Sequence, residues 1–219
     1  MHWTDKLFEE KTFSSVYFKA RKVCSSRVNF GTSLATFVVL AAYLASNHFL
    51  QMAWASPSAI ITTIRAIGDV SLTVTTQLLG FLIAGFAIFA SITKPEIFVL
   101  LAKLPHTKGD ITRLQFIFFN FLFVFIHFIL LLSLSVFLKV ALPSGGPFSG
   151  VLQFISASSP NALSIAAATL LCCMAAWLVF TLMLLKSFIW NMYQSILFAI
   201  AADAELKEQQ LNAAANSQE

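Results

Sequence analysis

FIFFNFLFVFIHFILLLSLSVFLK, residues Phe116 to Lys139, decides what kind of fold this chain can adopt. It is almost unbroken hydrocarbon apart from Asn120 and His127, which fall on nearly the same face of a helix. A run of ~20 apolar residues crosses ~30 Å of hydrocarbon as a helix, and this stretch exceeds that length. The chain as a whole is of the same kind: 58% hydrophobic and only 11% charged residues, with a mean hydropathy of +0.81. A soluble core cannot absorb so much apolar surface, so the chain reads as an integral membrane protein.

Four stretches are long enough to span: residues 28–50, 70–92, 114–140 and 162–185. The apolar runs are continuous rather than alternating, which excludes a β-barrel. The first run could instead be a signal peptide cut near Ala53-Trp54-Ala55. Its polar leader is long and carries Asp5, Glu9 and Glu10, and its apolar run exceeds a signal core, so it is kept as a span. The expected fold is all-α, with four transmembrane helices, a short cytoplasmic interfacial helix and a cytoplasmic extension of the last helix. The corresponding divisions are a basic N-terminal segment 1–27, a four-helix domain 28–185, an amphipathic helix 186–211 and a disordered tail 212–219.

Lys and Arg set the orientation, because cationic loops stay in the cytoplasm. Lys6, Lys11, Lys19, Arg21, Lys22 and Arg27 precede the first span, and Lys94, Lys103, Lys108 and Arg113 lie between the second and third. Lys186 and Lys207 follow the fourth, while Arg65 and Lys139 sit near the opposite side. Both termini are therefore expected in the cytoplasm. This distribution explains the net charge of +4 without invoking nucleic acid.

Helix punctuation adds detail. Ser56-Pro57 and Ser159-Pro160 each place a capping residue before a proline that suits the first helical position. Asp110 is the expected cap of the third long helix. Residues 95–104 carry Ile97, Phe98, Leu100, Leu101 and Leu104 at amphipathic spacing, as an interfacial helix would. LPSGGPFSG, residues 142–150, reads as a flexible external loop.

Two ridges of small residues offer packing surfaces. The second span presents Thr73, Gln77, Gly80, Ala84, Ala87 and Ser91 at steps of four and three, and the fourth presents Ser164, Ala168, Cys172 and Ala176 at steps of four. Helix association in lipid relies on close backbone approach and interhelical hydrogen bonds. Either both ridges pack within one bundle, or one packs inside the subunit and the other between subunits. Asn120 and His127 are expected to be buried and structural, with His127 neutral and bonded to Gln77 or to a hydroxyl of another helix. A proton or ion route is the competing role.

Catalytic constellations are missing from the sequence. No Ser, His and carboxylate share a depth, no His-Glu metal motif occurs, and His2, His48, His106 and His127 are scattered. Cys24, Cys172 and Cys173 have neither disulfide-framework nor zinc spacing. No catalytic residue, metal or cofactor is expected. The segment after the fourth span is the most informative: Phe188, Ile189, Met192, Tyr193, Ile196 and Leu197 form an apolar stripe, while Asn191, Gln194 and Ser195 point elsewhere. That stripe must be buried on the membrane, against residues 95–104, or on another protein.

The whole chain, in its size, its four spans and segments such as TQLLGFLIAGFAIFASI (Thr76 to Ile92), resembles the KwaA family, membrane subunits of the two-component Kiwa phage-defence system. The resemblance implies a homo-oligomer, a tetramer, in the bacterial inner membrane that senses phage attachment and works with a cytosolic DNA-binding partner, KwaB. It carries no site residue with it. The expected function is thus a non-enzymatic, oligomeric sensor or anchor subunit. It would contact membrane lipids, recruit a cytosolic protein and have no direct contact with nucleic acid. The alternative is a small channel or transporter with a polar route near Gln77, Asn120 and His127.

Overall fold

The computed structural model describes residues 9–10, 12–24, 26–49, 57–106, 110–142, 146–147, 150–151, 154, 157 and 159–216. Among these the regular structure is helical: α1 (Phe13–Cys24), α2 (Arg27–Phe49), α3 (Pro57–Ile92), α4 (Pro95–Lys103), α5 (Arg113–Ala141) and α6 (Pro160–Asn216). Four of them, α2, α3, α5 and α6, are long and apolar enough to cross a membrane. Ala53 to Ala55, Ser56 and the loop residues 143–145 and 148–149 lie outside the described residues.

Local chemistry accounts for most boundaries. α3 begins at Pro57, and α6 begins at Pro160 with the Ser159 carbonyl accepting the N–H of Leu163 at 3.2 Å. At α5 the cap is Thr112 rather than Asp110. The Gln115 N–H donates to Thr112 Oγ1 at 3.2 Å, and the Thr112 N–H donates to Gln115 Oε1 at 2.9 Å. This is a reciprocal capping box that satisfies two otherwise orphaned donors. A second correction is α1, which turns twelve residues of the basic leader into helix. Its Ala20 is fully buried while Lys19, Arg21 and Lys22 surround it in sequence. α6 joins the fourth span and the expected helical extension over 186–211 in one helix. It runs unbroken for 57 residues, about 85 Å at 1.5 Å per residue. It continues to Asn216 through the alanines at 213–215, the strongest helix formers, where a disordered tail was expected.

Contacts group the chain into two units. The first comprises Met1–Ser25, Leu82–Val124 and Leu185–Glu219. Its core joins Phe89, Ile97, Leu101, Ala102, Leu114, Ile117 and Ala199, with Met192, Ile196 and Phe198 packed against it. Phe121 stacks on Phe86 (centroids 4.3 Å apart, planes at 21°) and meets Phe188 at 6.1 Å, so aromatic contacts tie α3, α5 and α6 together here. Lys94 reaches Asp203 at 2.8 Å, linking the α3–α4 junction to α6.

The second unit comprises Ser26–Phe81 and Phe125–Leu184. Ile60, Ile64, Leu138, Ala167, Leu171 and Met174 form its core, with Leu40 and Leu44 of α2 packed on it. Both cations that departed from the charge pattern find partners inside this unit. Lys139 pairs with Asp69 at 2.9 Å, and the Arg65 guanidinium donates to the Leu142 carbonyl.

Candidate functional site

The functional question put to the structure is which surfaces the described residues use on one another and which they leave over. On α3 the answer is a division between two faces. The inward stripe is Ile60, Ile64, Ser71, Thr75, Leu79, Leu82 and Phe89, all buried. The small-residue ridge, Thr73, Gln77, Gly80, Ala84, Ala87 and Ser91, is exposed at every position. It starts two residues beyond Ser71, which is ~200° around the helix and hence the opposite face. A Cβ built on Gly80 meets nothing within 4 Å, so no described residue makes use of the close approach this ridge permits. Of the two arrangements left open for the ridges, packing of both within one bundle is not what the described residues show for α3.

The α6 ridge behaves differently. Cys172 and Ala176 are buried, Ser164 and Ala168 are half-buried, and the Ser33 hydroxyl of α2 donates to the Ala176 carbonyl at 2.8 Å. A small side chain at Ala176 is what leaves that carbonyl reachable. Phe37, Ala41, Leu44 and Ala45 of α2 share a groove of ≈ 270 Å³ with Ser164, Ala168 and Cys172. One ridge is therefore internal and the other free.

Asn120 and His127 are 3% and 9% exposed. They sit on the buried stripe of α5 with Ile117, Val124, Leu131, Ser135 and Leu138, which is why two polar groups lie on one line of so apolar a helix. His127 meets the edge of Phe180 in its own unit at 5.3 Å. Gln77 faces outward and does not join them. Two residues were not anticipated: Ser71 and Thr75 are fully buried, and their hydroxyls have no hydrogen-bond partner among the described residues. Their signal was present as hydroxyls four residues apart, but the neighbouring Thr73 and Gln77 offered the same pattern.

The C-terminal stripe also divides. Phe188 is buried, and Met192 and Ile196 pack against the core that holds Ile97 and Leu101 of α4. Of the three burial partners that sequence left open, residues 95–104 thus take this half. Ile189, Tyr193 and Leu197 are exposed, as are Trp190 and Ile200 beside them. Asn191, Gln194 and Ser195 line a cleft against the start of α5.

Electrostatics at these elements is local. The Asp203 carboxylate accepts a hydrogen bond from Lys94 and holds its ammonium above the ordinary lysine range. Asp203 takes Lys207 on its other oxygen at 2.9 Å. On α1, burial works against the Lys19 charge, but the carboxylates of Glu10 and Glu9 outweigh it and raise its pKa. Among the described residues no three His, Cys, Asp or Glu side chains come together.

Four spanning-length apolar helices and the absence of a strand among the described residues define the class, a multi-pass helical membrane protein. Comparison with protein-family models, with curated proteins and with solved structures gives no match.

Proposed function

We propose that the chain is a non-enzymatic, self-associating subunit of the bacterial inner membrane, both termini cytoplasmic, that anchors or senses in the bilayer and recruits or signals to a soluble cytosolic partner. One observation carries this reading: the α3 ridge from Thr73 to Ser91 is exposed throughout. Lipid solvates an apolar helix as well as another helix does, so a face is set apart by small residues and by polar groups that need partners. The Thr73 and Ser91 hydroxyls satisfy themselves on the Asp69 and Ile88 carbonyls. The Gln77 carboxamide is both donor and acceptor, and a second copy of α3 brings it an identical group.

The cytosolic half of the proposal rests on α6. About 85 Å of helix exceeds the ~40–45 Å of a whole bilayer, so a long piece of it projects beyond the membrane. The α4 helix lies at the interface on the same side, with Ile97 and Leu101 turned in and Lys94, Glu96 and Lys103 exposed. The exposed Tyr193 and Leu197 are the docking side for the partner. The KwaA resemblance extends the proposal to phage defence, as a tetrameric sensor of attachment.

The test is the mass of the purified particle in detergent and in nanodiscs. Gly80→Leu with Ala84→Leu should lower it to the monomer while insertion is unchanged. An unaltered mass removes self-association through α3. A second reading, a small channel or transporter, draws on the unpartnered buried hydroxyls of Ser71 and Thr75 together with buried His127. Ion or solute flux in proteoliposomes that is lost in His127→Gln, with the particle mass intact, would favour it.

A further inference from the structure

The first unit contains a cleft of ≈ 310 Å³ that opens where α5 begins. The described ends of the α4–α5 connection supply one wall through His106 and Arg113. The His106 N–H donates to the Ile111 carbonyl at 2.9 Å and the Arg113 N–H to the Leu104 carbonyl at 3.0 Å. The His106 ring lies flat on Phe116, centroids 4.0 Å apart and planes at 12°. α6 supplies the other wall through Asn191, Gln194, Ser195 and Phe198.

Arg113 gives the cleft its chemistry. Its guanidinium carbon stands 4.6 Å over the Phe198 ring, a cation–π contact that fixes the group in place without consuming its N–H donors. Among the described residues no carboxylate pairs with it. Asp203, a little over one turn beyond Phe198, is already shared between Lys94 and Lys207. Three backbone donors at the start of α5 are engaged as well, those of Thr112 and Gln115 in the capping box and that of Arg113 on the Leu104 carbonyl. Among the described residues the lining is one oriented guanidinium, the His106 imidazole, three neutral polar side chains and the apolar Leu101, Phe116, Ile117 and Phe198, with no acidic group.

We infer that this cleft binds a phosphate ester. The planar guanidinium matches two phosphate oxygens at once, Asn191 and Gln194 meet adjoining hydroxyl or ester oxygens, and the carbon stem lies on Leu101 and Ile117. Arg113 is the first residue of a 29-residue apolar helix, the depth at which phospholipid headgroups meet water. The phosphate ester thus has two sources, the headgroup of an anionic phospholipid or a soluble compound of the same chemistry.

The full-length protein, reconstituted in phosphatidylcholine nanodiscs with and without phosphatidylglycerol, separates them. Native mass spectrometry counts retained phosphatidylglycerol, and calorimetry in phosphatidylcholine alone measures binding of glycerol 3-phosphate. Arg113→Gln should reduce binding about tenfold or more, as loss of a charge-assisted hydrogen bond does, and Gln194→Leu several-fold. Lys103→Gln removes an equal charge from an exposed position outside the cleft and should change nothing. Phosphatidylglycerol held by the wild type and lost from both cleft variants, with glycerol 3-phosphate inert, assigns the lipid. Glycerol 3-phosphate binding lost from both assigns the soluble ester. No binding of either probe, equal losses in Arg113→Gln and Lys103→Gln, or wild-type binding by Gln194→Leu overturns the inference. Should Arg113→Gln fail to fold, Gln194→Leu against Lys103→Gln decides it.

Discussion

Leu101→Ala separates the two faces of the C-terminal helix. Leu101 is 1% exposed, in the core where Met192 and Ile196 of α6 pack against α4. The substitution removes three carbons at ~0.8 kcal/mol each, about 2.4 kcal/mol of transfer energy. The residual cavity raises this to about 3 kcal/mol. Opening of α4 away from α6 should then become about a hundredfold more frequent, since ~1.4 kcal/mol is a factor of ten. Tyr193→Ser with Leu197→Ser, at positions 52% and 45% exposed, should change stability by less than ~1 kcal/mol. Amide hydrogen exchange of α4 in a fixed detergent is the assay, followed on all three proteins together with the identity of co-purifying proteins. Leu101→Ala should accelerate exchange in α4. The outer double variant should leave exchange unchanged and strip the partner. Wild-type exchange in Leu101→Ala would refute the packing argument, and retained partners in the outer variant would refute the docking side.

His127→Gln should be tolerated, whereas His127→Leu should lower the unfolding midpoint by an amount equivalent to ~1 kcal/mol, the worth of one interhelical hydrogen bond in lipid. Thr112→Ala should destabilise the first turn of α5 by about 1 kcal/mol, read as faster exchange at Gln115 and Phe116 alone. The Lys94 pKa is raised by the Asp203 carboxylate, so its stabilising contribution is complete below the ordinary lysine value of ~10.4 and is lost as pH rises through the raised one. Unfolding midpoints of wild type and Asp203→Asn should therefore differ at neutral pH and converge as pH rises through the raised Lys94 pKa, and a constant gap would exclude the pair as its source. A reporter active only in the cytoplasm should work after Glu219 and fail near Gly146; the reverse would remove the proposed orientation.

The class and the number of spans were legible because hydropathy adds up over ~20 residues and no local accident can hide it. Chain reversals and caps were legible only in part. Thr112, Arg113, Leu114 and Gln115 spell a capping box, yet Asp110 is an equally plausible acceptor when the loop path is unknown. α1 was missed because its apolar side is narrow: Ala20 is its one buried residue among many exposed ones. The end of α6 was set at 211 rather than at Asn216 because the residues from Asn212 onward are small and polar and offer no apolar stripe.

The faces were the hardest thing to read, for a reason specific to membranes. In water the inward side of a helix is its apolar side, whereas in lipid both sides are apolar and small or polar residues mark contact. α3 carries two such lines, one through Ser71 and Thr75 and one through Thr73, Gln77 and Gly80. Hydroxyls discriminate poorly between them, since a serine or threonine can bond its own helix four residues back, as Thr73 and Thr76 do with Asp69 and Leu72. A glutamine amide on the same helix has no such local refuge: it needs a donor and an acceptor from elsewhere. Among the described residues the chain gives Gln77 neither, because the buried stripe of α3 lies on the other side of the helix. The residue with the greatest need for a partner thus stands on the one small-residue ridge left uncovered, which is the argument for testing α3 first as the surface between subunits.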